Sequence, residues 1–150
     1  MPNDVLDPRE LAFLVAARHA ILATVAPDGR PRLVPVCFIV DAVDGVHILT
    51  PLDDKPKAAG DKRSLARVRD IRDRPAVSVL IERWDEEWSR LGWLRLHGRA
   101  TLLEPAAVAP ETAERLRTKY PQYAAHDLES SPIIAIDIER AVSWGALDPG

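Results

Sequence analysis

The sequence predicts a mainly β, α+β domain: a six-stranded antiparallel split β-barrel carrying two or three short helices. Three observations predict it. Short apolar runs recur along the chain with turn residues between them, the first strands are joined by tight turns instead of helices, and the length, 150 residues, suits one domain. A doubly wound sheet would need helical crossovers where these turns stand.

The first element is a helix. Asp7-Pro8-Arg9-Glu10 places an N-cap, a proline at the first helical position and a glutamate positioned to close a capping box. Leu11, Leu14, Val15 and Arg18 follow at helical spacing. Ala20 to Val25 then reads as a strand, Pro27-Asp28-Gly29 as a hairpin turn and Leu33 to Val40 as its return strand. Pro35 cannot donate to a ladder, so it marks an edge, a bulge or a place where something else approaches the backbone. Asp41 to Gly45 makes a second turn, and Val46 to Thr50 a third strand.

Pro51 to Gly60 is polar loop. From Asp61 a helix follows, with Leu65, Val68 and Ile71 on one side and Lys62, Arg63, Arg67, Arg69 and Arg72 on the others. Pro75 stops it, and Ala76 to Ile81 is the fourth strand. Trp93 to Leu103 alternates most clearly: Leu94, Leu96, Gly98, Ala100 and Leu102 share one side, and Arg95, His97, Arg99 and Thr101 the other. Pro110 to Tyr120 has helical composition. Ile133 to Ile138 is the last strand, with Val142-Ser143-Trp144 extending it past a bend at Glu139-Arg140. There is no repeat or low-complexity segment.

Composition narrows the function classes. With 47% hydrophobic and 29% charged residues the chain has the profile of a soluble globule. Its apolar runs fall far short of the ~20 residues that span a bilayer, and its acidic start lacks a secretory pattern; the expectation is a cytoplasmic protein without a membrane partner. Cys37 is the single cysteine, which excludes an intramolecular disulfide and a cysteine metal cluster, and its apolar neighbours suggest a buried, inert thiol. His19, His47, His97 and His126 are dispersed without ligand spacing, so no metal site is expected. Sequence signatures for a phosphate-binding P-loop, a dinucleotide fold, a serine hydrolase or a zinc protease are missing. A protein without its own acid–base set can still be an enzyme when a cofactor carries the reactive centre.

Two segments draw attention. Net charge is −3, yet eight of the 20 Lys and Arg residues lie between Lys55 and Arg74. Lys55 and Lys57 precede the proposed helix, Lys62 and Arg63 lie in its first turn, and Arg67 lies one turn beyond, an arrangement suited to an oxyanion. The alternative is a solvated charged face interleaved with Asp61, Asp70 and Asp73. A nucleic-acid track is disfavoured by the net negative charge and by the scarcity of Phe and Tyr in the strands. The second segment holds three of the four tryptophans, Trp84, Trp88 and Trp93, with Arg90 among them. Aromatic faces beside an arginine suit a planar ring ligand or a subunit interface.

The ordered set Ala23-Thr24-Val25-Ala26-Pro27-Asp28-Gly29-Arg30-Pro31, the basic segment, Asp73-Arg74-Pro75-Ala76-Val77-Ser78-Val79-Leu80 and His97-Gly98-Arg99-Ala100 resembles the pyridoxamine-phosphate-oxidase-like split β-barrel family over residues 10 to 145. Asp53-Asp54-Lys55-Pro56-Lys57 with Asp85-Glu86-Glu87-Trp88-Ser89-Arg90 further resembles its small, actinobacterial-type F420-dependent oxidoreductases. The resemblance implies a homodimer with a flavin or deazaflavin in each of two clefts between subunits, hydride moving between F420 (alternatively FMN) and a small organic substrate. It implies that Lys55, Lys57, Lys62, Arg63 and Arg67 hold the cofactor phosphate, although Arg67 stands where the family has lysine. Val34, Pro35, Val36 and Thr50 would run along the ring, and Trp88, Arg90 and Trp93 would cover the cleft. A non-catalytic protein that stores or senses such a cofactor is the competing expectation. No side chain is singled out as an obligatory acid or base; Arg90 is the candidate for polarising a substrate carbonyl. The chain lacks the C-terminal extension with which true pyridoxamine-phosphate oxidases grip pyridoxal phosphate, so vitamin B6 chemistry is not expected.

Overall fold

The computed structural model describes residues 5–52 and 61–149. Helix α1 (Pro8–Ala16) opens with the expected capping box: the Glu10 N–H donates to Asp7 Oδ1 at 2.8 Å, and the Asp7 N–H to Glu10 Oε1 at 3.0 Å. Seven strands follow, β1 (Ala20–Val25), β2 (Pro31–Val36), β3 (Ile39–Asp41), β4 (His47–Pro51), β5 (Ala76–Arg83), β6 (Gly92–Leu103) and β7 (Ile133–Gly145). Between them lie α2 (Ala66–Asp73) and α3 (Thr112–Lys119), with short 3-10 turns at 62–64, 88–90, 105–107 and 121–125. All strand pairs are antiparallel, in the order β2-β1-β5-β6-β7-β4-β3.

Among the described residues the count is seven, not six, because the apolar run Leu33 to Val40 divides. Its first half pairs with β1 at one edge of the sheet, whereas Ile39–Asp41 pairs with β4 at the opposite edge. Cys37 and Phe38 carry the chain between the edges. Phe38 is fully buried, which pins the crossing, while Cys37 is half-buried and so more accessible than its neighbours suggested. The positive φ of Gly29 (86°) and Gly45 (79°) makes the two turns that sequence placed there.

Strand β7 is continuous through Glu139-Arg140. The bend expected there is a β-bulge: His97 pairs with Arg140 and Gly98 with Ile138, leaving Glu139 over. Gly98 is required at this point, since a Cβ would lie 2.2 Å from the Asp137 carbonyl oxygen. The core is built from alternate residues of the strands, including Leu22, Val79, Leu94, Leu96, Ile48 and Ile136, closed by Leu14 of α1 and by Val68 and Ile71 of α2. A smaller cluster around Leu116, Tyr120 and Tyr123 seats α3 against Ile39 and Ile133. No helix among the described residues is long and apolar enough to cross a membrane.

Candidate functional site

Edge strand β2 and helix α2 meet at a cluster of arginines. Asp70, at the middle of α2, is 1% exposed. It accepts hydrogen bonds from Thr24 Oγ1 of β1 and from Arg32 Nε of β2, each at 2.8 Å, and Arg74 Nη2 stands 3.9 Å away. Burial opposes the charged form, but the bonds from Arg32 and Thr24 outweigh it and hold the carboxyl below the usual carboxylate range. Arg67, half-buried, lies three residues before Asp70 on the same helix. Arg74 is anchored through Nε to the Val25 carbonyl at 2.8 Å, and its buried Nη2 has no hydrogen-bond partner among the described residues. Two guanidiniums, from Arg32 and Arg74, thus flank one buried carboxylate, and Arg67 stands one turn earlier on the same helix. Two positive charges face one negative one, and the buried Arg74 Nη2 reaches Asp70 only at ion-pair distance with no hydrogen bond, a setting that suits an added anion.

The other basic residues divide. Lys62 Nζ donates to the Leu52 carbonyl (3.0 Å) and to Ser131 Oγ (2.7 Å), tying the end of β4 to the segment before β7. Arg63 forks onto Glu104 and Asp61; the Glu104 bond, followed by the Asp61 bond, pushes its guanidinium above the ordinary value. Lys55 and Lys57 lie outside the described residues. The solvated charged face is a correct reading for Asp61 and Asp73, both exposed, and wrong for Asp70.

Along β2, Leu33 (66% exposed) and Pro35 stand on the open face of the sheet, while Arg32, Val34 and Val36 turn inward. Val36 and Thr50 are buried in the core, so only their backbone is available to a ligand; Val34 is half-buried. The edge position of β2 is one where a proline's missing donor costs no ladder bond.

The open face continues across five strands. Directly paired residues share a side of the sheet, so the registers Pro35–Ile21–Leu80–Arg95–Val142 and Leu33–Ala23–Ser78–His97–Arg140 form two outward rows. Ser78 Oγ lies 2.8 Å from His97 Nδ1. A third row, Glu82–Trp93–Trp144, ends the face in indole, with the Arg95 guanidinium 5.2 Å from the Trp93 ring. Trp144 of this row is exposed, as are Trp84 and Trp88 in the connection from β5 to β6 that ends at this row, and Arg90 Nε there lies 3.4 Å from Asp85. Trp88, Arg90 and Trp93 therefore sit together at this end, Trp93 as the half-buried member.

Sequence reasoning missed Arg32, Arg74 and Asp70. The signal for Arg32 lay in the alternation Arg32, Val34, Val36, which puts an arginine on the core side of a strand, where it requires a buried acid.

An antiparallel half-barrel sheet with an arginine cluster behind one edge strand and an open, partly apolar face defines a protein of the split-barrel class. The chain belongs to the pyridoxamine 5'-phosphate oxidase family, whose model matches residues 6–145. No curated protein matches the sequence. Solved structures share the fold. A conserved hypothetical protein of Mycobacterium tuberculosis superposes with a TM-score of 0.67 at 22% identity, covering 94% of this chain and 86% of that one. An F420 reductase gives 0.64 at 19%, covering 92% and 98%. HutZ, the heme storage protein of Vibrio cholerae, gives 0.64 at 15%, covering 94% of each.

Proposed function

We propose that the chain is an F420-dependent oxidoreductase, acting as a homodimer and moving hydride between the deazaflavin and a small organic substrate. The observation that carries this reading is the arginine cluster at Asp70, with an Arg74 donor that makes no hydrogen bond, placed immediately behind an edge strand whose other face is open. The family supplies flavin-type ligands, and a protein of the same fold is an F420 reductase.

The residues fit a phosphate-bearing cofactor. Arg67 and Arg74, together with Arg32, whose side chain is 43% exposed, would hold its anionic end. Lys55 and Lys57 extend the same basic segment. Backbone around Pro35 would border its ring, and Trp88, Arg90 and Trp93 would cover it. When bound, the cofactor supplies the hydride chemistry. The chain's own part is to anchor the phosphate, to exclude water with its indoles and to align the substrate, with Arg90 available to polarise a carbonyl. The apolar side chains Ile21, Leu33, Leu80 and Val142 on these rows suit a second copy, which would complete the cleft.

Two alternatives share the site. FMN would use the same anion grip, and a storage or sensing role has a precedent of fold in the heme storage protein. Titration of the purified protein with F420 and with FMN, followed by turnover of reduced F420 with a panel of unsaturated acceptors, separates them. Saturable F420 binding with turnover supports the proposal. Tight FMN binding alone moves the assignment to FMN, and binding of either without turnover to storage.

A further inference from the structure

A second cluster of polar and aromatic side chains lies where α3 ends against the crossing between β2 and β3. Lys119 is the last residue of α3, and its Nζ is half-buried. It donates to the Phe38 carbonyl at 2.9 Å and lies 4.0 Å from the centre of the Phe38 ring and 5.3 Å from that of Tyr120. The Tyr120 hydroxyl accepts the Phe38 N–H at 3.0 Å and is also within bonding distance of the Arg18 carbonyl, at 3.0 Å. Arg18 in turn donates to the Lys119 carbonyl and lies over the Tyr120 ring at 5.0 Å. This mesh fixes the amine in place. No carboxylate forms an ion pair with Lys119 among the described residues.

Lys119 also lines a cavity of about 340 Å³ walled by Val15, Ile39, Val40 and Thr118, with Glu114 and Arg115 at its side. A half-buried lysine beside a cation, on the wall of a largely apolar cavity, has the setting of an amine nucleophile. Desolvation first, then the positive charge of Arg18, bring its pKa down to about 8; the nearby Cys37 thiol acts weakly in the other direction. Burial pushes the Tyr120 hydroxyl above its ordinary value.

We propose that Lys119 is a carbonyl-reactive amine, taking small aliphatic aldehydes from this cavity into a reversible imine. The neutral amine attacks the carbonyl carbon, a C–N bond forms, and the carbonyl oxygen leaves as water with the two amine protons. The step is free of any oxidant or cofactor. The hydrogen bond to Phe38 and the two ring faces orient Nζ, and the apolar walls accept the alkyl chain.

Reductive trapping tests this on the full-length protein: butyraldehyde and cyanoborohydride across pH 6.5 to 10.5, with each lysine followed by peptide mass spectrometry. At pH 7.5 Lys119 is expected to label at least about tenfold faster than Lys55 and Lys57, its rate half-maximal near pH 8, where ordinary lysines reach this near ~10.4. The rate should also saturate with butyraldehyde. Lys119→Arg, which keeps the cation and a donor for Phe38, should remove this fast label while melting as the wild type does. If that variant fails to fold, Arg18→Gln gives the second reading, moving the labelling midpoint of Lys119 upward. Labelling of Lys119 at the rate or with the pH midpoint of Lys55 and Lys57, or a rate linear in butyraldehyde, overturns the proposal.

Discussion

Replacing Asp70 by Asn is the sharpest perturbation of the arginine cluster. The amide has nearly the carboxyl's shape, and its oxygen can still accept from Thr24 or from Arg32, so packing is preserved and charge is removed. Breaking a buried ion pair by removing one partner costs about 3–5 kcal/mol. Arg32 is 43% exposed and can turn its charge to solvent, which lowers the figure; Arg74, with a buried Nη2, cannot do so freely. A loss of about 3 kcal/mol results, which at about 2–4 °C per kcal/mol for a chain of this size lowers Tm by about 6–12 °C at pH 7. The sign with pH follows from the depressed pKa of Asp70. Its stabilisation is complete above the unfolded value near ~3.9 and is lost as pH falls through the lower folded value. Circular-dichroism melts of wild type and Asp70→Asn should therefore differ fully at pH 5 to 7 and converge below about pH 4. A difference under about 2 °C at pH 7, or one that persists undiminished in acid, would refute the reasoning.

Other perturbations report on separate parts of the molecule. Tyr120→Phe leaves the buried Phe38 N–H without its acceptor and should cost about 1–3 kcal/mol in denaturant unfolding. Gly98→Ala drives a methyl against the Asp137 carbonyl, backbone that cannot yield without opening the β6–β7 ladder; a loss of about 3 kcal/mol or complete failure to fold, seen as a missing cooperative melt, is expected. Leu80→Glu places a charge in the middle of the open sheet face, where it meets solvent in a monomer. Light scattering should show the wild type as a dimer at micromolar concentration and the variant as a folded monomer.

Much of this fold is legible in the sequence because local chemistry decides it. Asp7, Pro8 and Glu10 specify the start of α1 within four residues, Gly29 and Gly45 mark the turns, and β6 shows its inward side in Leu94, Leu96, Gly98 and Ala100. The run Leu33 to Val40 conceals its division because both halves are equally apolar, and only their distant partners, β1 and β4, separate them. The candidate site was harder to read for the same reason. Asp70 sits among Arg67, Arg69, Arg72 and Asp73, a pattern that fits a solvated helix face, and its burial depends on Thr24 and Arg32, 46 and 38 residues away. Lys119 meets Phe38 across 81 residues of chain. Basic composition drew attention to Lys62 and Arg63, whose strongest partners in the structure are protein groups, while Arg32 lay outside the basic segment altogether.

The most direct measurement is a fluorescence titration of F420 against the wild type and against the Lys57→Ala, Arg67→Ala double variant, with apo melts in parallel. The expected result is saturable binding to the wild type and markedly weaker binding to the variant at a nearly unchanged apo Tm. Absence of saturable F420 binding to the wild type would contradict the F420 assignment, and equal binding by the variant would contradict the phosphate grip.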